Sequence, residues 1–325
     1  MRHCIDSLLP GGEEVEIIIV DDGSKDNTAR IADEYQEKYP TIVKAVHKPN
    51  GGHGSGVNKG MELATGLYFK VVDSDDWADE EGYQTILENI RERLKENHLP
   101  DMYLMDFIYN KPSKNHQYRR KYSSQFKSND FTNWEEVKKF TPSQVFLMHA
   151  LFYRTEALRE SKLQLPEHTF YVDNIFAFTP LPFMKTIYYI PKAFYMYFIG
   201  REDQSVTVDN IIGRYKQQIV VFKRMFTSYR YDEIMKMEKG LRNYMLHALN
   251  VMTIVTLMFT CGKCTKERKE DTKELWKFCK EHDLKLYKWL RHRGYSILVN
   301  HLPFWLKGKI MVAGYKREVR HHDLG

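Results

Sequence analysis

The sequence predicts an α/β fold, with a mixed, mostly parallel sheet flanked by helices and followed by a helical C-terminal region. Two observations predict it. Apolar β-branched runs alternate with helix-like segments over the first 110 residues, and from residue 211 the apolar residues recur at helical spacing. With 42% hydrophobic residues among 325, the chain has enough apolar side chains for a large core, which excludes a mainly disordered protein.

The first 110 residues contain four predicted strands. The run VEIIIVD is typical of a strand buried on both faces. Ser24 or Asp26 can cap the helix that follows it, and Pro40 ends that helix. A short helix follows the glycine-rich segment, and Asp79 or Glu80 begins a longer one. The predicted strands cover residues 15–21, 41–47, 67–72 and 101–109.

The middle of the chain is less regular. The polar stretch KPSKNHQYRRKYSSQFKSND predicts an exposed loop or insertion, and strand-like runs return at residues 145–153 and 186–197. Beyond them, one face of a predicted helix carries Ile211, Tyr215, Ile219, Phe222 and Phe226. We therefore divide the chain into residues 1–110, 111–210 and a helical, basic region at 211–325.

The net charge of +6 is concentrated near the C-terminus. Between residues 285 and 320 basic side chains alternate with Trp289, Phe304 and Trp305, a composition typical of a segment on an anionic membrane surface. An amphipathic helix packed on the protein is an equal alternative. No recognition motif supports a nucleic-acid partner.

The cysteine content and the N-terminal segment predict a cytoplasmic protein. Four cysteines are too few for a disulfide-built fold, and the first residues lack the pattern of a signal peptide. The longest apolar stretch, residues 248–261, contains Asn250 and is shorter than the roughly 20 residues of a membrane span. We expect at most peripheral association with the inner face of the cell membrane.

Pairs of acidic residues follow two of the predicted strands. In FKVVDSDDW, Asp73 and Asp75 are two residues apart and should project to one side, where carboxylates suit Mg²⁺ or Mn²⁺. Asp21 and Asp22 follow the first strand, and carboxyl ends of strands line the ligand crevice of open α/β sheets. The alternative for Asp73 and Asp75 is a solvated acidic turn. The alternative for the other pair is an Asx turn and helix cap formed by Asp22 and Ser24, and we expect one of the two acids to have only that role.

Three segments in this order resemble a known family: VEIIIVDDGSKDNT, NGGHGSGVNKGMELATG and YFKVVDSDDW. They resemble the donor half of the inverting family-2 nucleotide-sugar glycosyltransferases, which have the GT-A fold, over roughly residues 4–110. The resemblance implies that Asp21 and Asp22 contact the base of a nucleotide-sugar donor, expected to be a UDP-sugar. It also implies that Asp73 lies at the ribose and that Asp75 binds Mn²⁺ or Mg²⁺ at the diphosphate.

The glycine-rich segment fits neither a dinucleotide fingerprint nor a P-loop. We therefore expect Gly52 and its neighbours to let the backbone approach the nucleotide. Many members of the family carry an arginine where this chain has Val57. His53 or Lys59 could take over the role of that arginine.

Two later segments resemble the acceptor half of the same family. In LPEHTFYVDNIFAF, Asp173 matches the general base at the start of a helix, with a helix cap as its alternative role and Glu167 as the reserve candidate. In YMYFIGREDQSVT, Arg201 and Gln204 are the candidates for contacts to the diphosphate, with an ordinary surface turn as the alternative.

Two further features lie outside these motifs. Members of the family begin with a strand before the helix that MRHCIDSLLP resembles, and we expect such a strand to precede this sequence. The spacing of Cys261, Cys264, Cys279 and His282 suits a zinc site, although packed cysteines in a helix are the favoured interpretation.

The sequence thus predicts a metal-dependent, inverting glycosyltransferase acting on a carbohydrate or lipid-linked hydroxyl in cell-surface polysaccharide or glycan synthesis. Two other functions stay open. One is a non-catalytic nucleotide-binding or membrane-scaffolding protein, and the other is a sugar-phosphate nucleotidyltransferase, although the basic activating loop of that class is not found.

Overall fold

The structure is a computed structural model that describes residues 1–141, 144–200, 208–293 and 296–321. The chain divides into two compact units. Unit 1 comprises Met1–Val137 and Phe146–Ile199, and unit 2 comprises Lys138–Val145 and Gly200–Gly325.

Unit 1 alternates short strands with helices, as the sequence predicts for its first part. Its elements in chain order are α1 Arg2–Leu8, β1 Ile17–Asp21, α2 Thr28–Lys38, β2 Val43–His47, α3 His53–Leu63, β3 Tyr68–Phe69, β4 Trp77–Ala78, α4 Glu80–Lys95, β5 Met102–Lys111, β6 His116–Arg120, β7 Asp130–Asn133, β8 Leu151–Arg154, α5 Thr155–Glu160, α6 Asp173–Phe176 and β9 Thr186–Phe198.

The described strands form two sheets. β1 and β2 pair with each other, and the larger sheet has the order β3-β8-β5-β9-β4, with β6 on β5 and β7 on β9. The predicted mixed sheet with flanking helices is confirmed. Only β1–β2 and β5–β9 are parallel, however, so antiparallel pairings outnumber the parallel ones that we expected to dominate. Parallel neighbours need a long crossover connection, and the second part of unit 1 connects several strands without one.

The polar stretch after residue 111 contains a hairpin, although the sequence analysis assigned it to an exposed loop. Asn115 adopts a left-handed conformation with φ of 48°, which asparagine tolerates better than most residues. The chain therefore reverses tightly, and β6 returns along β5 with Tyr118 opposite Tyr109.

The core of the larger sheet lies on β5 and β9. Tyr103 and Phe107 on β5, and Tyr189 and Tyr195 on β9, are fully buried. Burying an apolar side chain of this size contributes about 1.5–3 kcal/mol. β9 is therefore a rigid element, and its last residues lie beside the acidic residues that follow β3, as described below.

Unit 2 is helical, as predicted. Its elements are α7 Val208–Gly213, α8 Tyr215–Ser228, α9 Tyr231–Lys236, α10 Lys239–Cys261, α11 Lys266–His282, α12 Leu284–His292, α13 Ser296–Asn300 and α14 Phe304–His321. α10 is long and apolar enough to cross a membrane by length and composition alone, but 78% of its most apolar window is buried inside the protein. That burial is the behaviour of a core helix.

The described cysteine and histidine side chains of unit 2 are not grouped as a zinc site requires. In the described part of the chain, no group of three His, Cys, Asp or Glu side chains close enough to share a metal includes Cys261, Cys264, Cys279 or His282. Cys279 is buried in α11, and this burial raises the pKa of its thiol to about 12. Cys261 is buried as well, whereas Cys264 is exposed, so packed side chains describe Cys261 and Cys279 only.

Candidate active site

The two acids at the end of β1 bind protein groups rather than facing open solvent. The carboxylate of Asp21 accepts a hydrogen bond from the Ser24 N–H at 3.0 Å and lies 3.1 Å from a ring nitrogen of His47. The Ser24 N–H is three residues beyond Asp21, one more than an Asx turn spans, and it donates to Asp21 and not to Asp22, so the expected Asx turn between Asp22 and Ser24 is not observed. Burial opposes ionisation of Asp21, but these hydrogen bonds hold its pKa below the ordinary value.

Asp22 anchors the glycine-rich segment. Its carboxylate accepts hydrogen bonds from the N–H groups of Gly51 at 2.9 Å and Gly52 at 2.6 Å, and from the Lys48 ammonium at 2.6 Å. Burial opposes ionisation, but the three donors hold the pKa of Asp22 below its ordinary value. Asp22 thus stays ionised and shapes the start of α3.

The acids after β3 lie on a turn. β3 ends at Phe69, and a hydrogen bond of 3.0 Å from the Asp76 N–H to the Asp73 carbonyl closes the turn. We call residues Asp73 to Asp76 the acidic turn. Strand alternation, which we used to place Asp73 and Asp75 on one side, does not apply because neither residue lies in a strand.

The acidic turn contains two half-buried carboxylates, Asp73 and Asp75, and a buried one, Asp76. Burial raises the pKa of Asp73, but the His53 ring, 3.0 Å away, outweighs it and lowers that pKa. Asp76 is only 1% exposed, and burial raises its pKa to about 8 even though its carboxylate accepts two hydrogen bonds.

One group of side chains in the described part of the chain could hold a metal ion. Ligand atoms of Asp73, Asp76 and His149 all lie within 4.8 Å of one another. His149 is buried, its Nδ1 has no hydrogen-bond partner, and burial lowers its pKa to about 4, so its ring is neutral. Neutral imidazole and carboxylate oxygens suit Mn²⁺, so the donor set around the acidic turn fits a divalent ion.

His53, the first residue of α3, is central to the site. Its Nε2 lies 3.0 Å from Oδ1 of Asp73, and its charge interacts with both Asp75 and Asp173. Burial lowers the pKa of His53, but Asp73 outweighs it and raises that pKa. Lys59, the other candidate to replace the missing arginine, instead pairs with Glu62 on the same helix at 2.8 Å.

Asp173 begins α6, as predicted, but it is not the helix cap because Val172 precedes the helix without a side-chain hydrogen bond. Burial raises the pKa of Asp173, and His53 acts in the opposite direction. A carboxylate with a raised pKa is a stronger base than one with the ordinary value. The helix cap that we considered as an alternative role is therefore not observed.

Residues 162–171, which we call the acceptor loop, precede Asp173 and contact α3. Ser55 donates a hydrogen bond to Glu167 at 3.0 Å, and the His168 N–H donates to the Gly51 carbonyl at 2.6 Å. Glu167, the reserve general base, is therefore held against α3. The loop contains three non-glycine residues with positive φ: Lys162, His168 and Tyr171.

The glycines of α3 make room for this loop. A Cβ atom on Gly54 would lie 2.6 Å from the carbonyl oxygen of Pro166, and one on Gly52 would lie 3.2 Å from His168. Gly52 also has φ of 80°, which favours glycine. This role does not follow from the local sequence, from which we expect the glycines only to approach the nucleotide.

A cavity of about 640 Å³ lies in unit 1. Its lining includes Asp22, Gly52, His53 and Asp73, and most of the remainder is apolar. This volume is in the range of small-molecule sites. Asp173 and Asp75 do not line it, and the predicted diphosphate contacts Arg201 and Gln204 lie outside the described residues.

Residues 1–161 match the family described as Glycosyl transferase family 2. The chain is 29% identical over 214 residues to the uncharacterized glycosyltransferase MG025 homolog of Mycoplasma pneumoniae, which covers 63% of this chain and 64% of that protein. It is 41% identical over 87 residues to the uncharacterized glycosyltransferase YibD of Escherichia coli, covering 26% and 25%. The matched segments span less than two thirds of either relative.

Among solved structures, the chain is similar to residues 1–349 of TarS from S. aureus in complex with UDP-GlcNAc. The TM-score is 0.62 at 17% identity, over 98% of this chain and 88% of that chain. A second crystal structure of the same TarS fragment gives a TM-score of 0.56. Likeness at this level of identity concerns the fold, and it confirms the predicted GT-A type.

Proposed function

Residues 1–161 form a glycosyl transferase family 2 domain, and on this premise we propose that the protein transfers a sugar from a nucleoside diphosphate donor to an acceptor hydroxyl. We propose UDP as the nucleotide, inversion at the anomeric carbon, and assistance by Mn²⁺ or Mg²⁺. The proposed acceptor is a carbohydrate or a lipid-linked sugar of a cell-surface polysaccharide or glycan.

One observation carries this proposal: His53 interacts with both Asp73, a proposed donor residue, and Asp173, the proposed general base. It lies 3.0 Å from Asp73 and close enough to Asp173 to affect the pKa of that carboxyl group. His53 and Asp173 are far apart in the sequence, so the fold of unit 1 brings them together. A transferase needs a general base beside the donor-binding residues, because the acceptor must attack the bound sugar directly.

The proposed donor site lies around Asp22, Gly52 and Asp73, which line the cavity of unit 1. Asp21 and Asp22 are proposed to serve the base and Asp73 the ribose, while Arg201 and Gln204 are proposed to contact the diphosphate. The UDP-GlcNAc bound to the structurally similar TarS supports UDP as the nucleotide.

The proposed metal site is the acidic turn, with Asp75 as the proposed direct ligand. The ligand atoms that lie within 4.8 Å of one another belong to Asp73, Asp76 and His149, and this group does not include Asp75. When bound there, a divalent ion neutralises the charge that develops on the leaving diphosphate. His53 contributes positive charge at the same place, which supports binding of an anionic donor.

Asp173 is the proposed general base. Its carboxylate would accept the proton of the acceptor hydroxyl as that oxygen forms a bond to the anomeric carbon and the bond to the diphosphate breaks. Attack opposite the leaving group inverts the configuration, as direct displacement requires. Because burial raises the pKa of Asp173, the carboxylate is a better base than an exposed aspartate.

We also propose peripheral association of unit 2 with the inner face of the cell membrane. Trp305 and Ile310 on α14 are 56% and 46% exposed, and the exposed Lys309 lies between them in sequence. Lys307 does not contribute, because it is buried and its ammonium donates to the Asn300 carbonyl. Exposed aromatic and basic side chains on one helix favour an anionic lipid surface.

Calorimetric titration with UDP, with and without Mn²⁺, tests the donor site. We expect the unmodified protein to bind UDP only when Mn²⁺ is present. Asp75→Asn should lose most of this affinity and should no longer depend on Mn²⁺. The control Asp130→Asn, which removes an exposed carboxylate on β7, should bind as the unmodified protein does. Absence of UDP binding by the unmodified protein would contradict the proposed donor.

Co-sedimentation with vesicles containing anionic lipid tests the membrane proposal. Trp305→Ala combined with Lys309→Ala should reduce binding, whereas Lys273→Ala, an exposed lysine paired with Glu270 on α11, should not. Equal binding of the unmodified protein, the double variant and Lys273→Ala to anionic and neutral vesicles would contradict the membrane proposal.

A further inference from the structure

Tyr195 connects β9 to the acidic turn through its hydroxyl group. The side chain is fully buried, and the hydroxyl accepts a hydrogen bond from the backbone N–H of Asp73 at 3.1 Å. The same hydroxyl lies 2.6 Å from Oδ2 of Asp76, to which it donates, and 3.3 Å from Oδ2 of Asp73. One phenol oxygen therefore contacts both ends of the acidic turn.

The rest of β9 fixes the far side of the same turn. The N–H of Phe198 donates to Oδ1 of Asp76 at 2.7 Å, so both carboxylate oxygens of Asp76 are held by β9. The short strand β4, which follows the turn directly, pairs with β9 and places Ala78 opposite Tyr195. The turn is thus attached to a rigid central strand by side-chain and backbone hydrogen bonds.

The ring of Tyr195 is itself held in place. The Lys70 ammonium lies 5.1 Å from the ring centroid, and the ring of His149 meets it edge to face at 4.7 Å. Lys70 is fixed in turn, because its ammonium donates to the carbonyls of Met148 and His149. A buried, fully packed phenol has little rotamer freedom, so its hydroxyl is a fixed reference point for the turn.

We propose that Tyr195 is a positioning residue that sets the geometry of the acidic turn and thereby the binding of the nucleotide and the divalent ion. The proposal rests on the proposed function and adds to it a residue 122 positions from Asp73 that touches no substrate. Tyr195 acts through Asp73 and Asp76, since the hydrogen bonds of its hydroxyl group in the described part of the chain all go to the acidic turn.

The test compares Tyr195→Phe with the matched control Tyr189→Phe. Tyr189 is also fully buried on β9, and its hydroxyl also donates to a buried carboxylate, Asp106, at 2.7 Å. Each variant therefore removes one buried hydroxyl and leaves one buried carboxylate with one partner fewer. Only Tyr195 contacts the acidic turn.

Two readouts separate positioning from general stability. The first is amide hydrogen exchange of the peptide that contains residues 70–78, measured without ligand, because the Asp73 N–H loses its acceptor in Tyr195→Phe. The second is calorimetric affinity for UDP in the presence of Mn²⁺. We expect faster exchange and about tenfold weaker binding in Tyr195→Phe, with neither change in Tyr189→Phe.

Each other result has a defined meaning. Unchanged exchange in Tyr195→Phe, or faster exchange with unchanged affinity, overturns the proposal. Loss of a cooperative thermal unfolding transition in Tyr195→Phe alone shows a purely structural role and also overturns it. If the unmodified protein binds no UDP, the proposed function fails. The exchange measurement, made without ligand, then tests the positioning role by itself, and unchanged exchange in Tyr195→Phe would overturn that role.

Discussion

The side-chain amide of Asn58 forms hydrogen bonds with both backbone polar groups of Leu165, the N–H and the carbonyl. Its Nδ2 donates to the Leu165 carbonyl at 2.9 Å, and its Oδ1 accepts from the Leu165 N–H at 3.0 Å. Asn58 thus pairs with the acceptor loop as a neighbouring strand would, although the two residues are 107 positions apart. Because the acceptor loop leads to Asp173, this pair links the donor side of the site to the proposed base.

Asn58→Ala tests this link. Two hydrogen bonds are lost and two backbone groups of the loop lose their partner, so we expect a loss of about 1–3 kcal/mol in the free energy of unfolding. Turnover should fall more than donor affinity, because Asp22 and Asp73 are left in place. The control is Lys59→Ala, the next residue on α3, whose exposed pair with Glu62 is expected to contribute about 0–1 kcal/mol. Equal kinetics in the two variants would contradict the link.

Two glycines of the same helix should respond to alanine with opposite sign. A Cβ on Gly54 would lie 2.6 Å from the Pro166 carbonyl oxygen, whereas one on Gly56 has only a Val20 methyl group at 4.0 Å. We expect Gly54→Ala to lower the free energy of unfolding by about 1–3 kcal/mol. Gly56→Ala should raise it by about 0.5–1 kcal/mol, since glycine is unfavourable in a helix. Denaturant unfolding measures both, and a stabilised Gly54→Ala would show that the acceptor loop does not lie against α3.

His53→Ala should weaken the donor site. The carboxylate of Asp73 loses the ring nitrogen 3.0 Å away, and the site loses a positive charge that favours the diphosphate. We expect about tenfold weaker binding of UDP with Mn²⁺, which corresponds to about 1.4 kcal/mol. His53→Gln, which keeps a hydrogen-bond donor without the charge, separates the two contributions. Unchanged affinity in His53→Ala would exclude His53 as the substitute for the missing arginine.

His149 should make the protein less stable in acid. Burial lowers its pKa to about 4 in the folded protein, whereas the unfolded value is about 6.5. The unfolded chain therefore binds more protons between these values, so the free energy of unfolding decreases as the pH falls through this window, by up to about 1.4 kcal/mol per pH unit.

His149→Phe keeps a ring between Tyr195 and Tyr197 and removes the titration. Its stability should depend less on pH between 6.5 and 4 than that of the unmodified protein, as measured by urea unfolding with EDTA present. Identical pH profiles would show that His149 is accessible to protons when folded.

Much of the donor half could be predicted from the sequence. β1 and the acids at its end follow from a continuous β-branched run. The beginning of α4 at Asp79 is a regular cap, with the Asp79 carboxylate accepting from the Gly82 N–H. These features are local, so neighbouring residues determine them.

The missed features depend on contacts between distant parts of the chain. The role of Gly54 is set by Pro166, and the burial of Asp76 is set by Tyr195, neither of which a local pattern reveals. The acidic turn was assigned to the end of a strand because the apolar run FKVV continues to Asp73, but β3 ends at Phe69. The positive φ of His168 likewise accompanies a contact between distant residues, because its N–H donates to the Gly51 carbonyl.

The most direct test of the account is release of UDP from a panel of UDP-sugars with Mn²⁺ and a carbohydrate acceptor, compared between the unmodified protein and Asp173→Asn. We expect turnover by the unmodified protein, with a rate that rises with pH through the raised pKa of Asp173. Asp173→Asn should lose at least about 100-fold in turnover and keep its affinity for UDP. Equal rates for the two proteins would remove Asp173 from the mechanism and contradict the central claim.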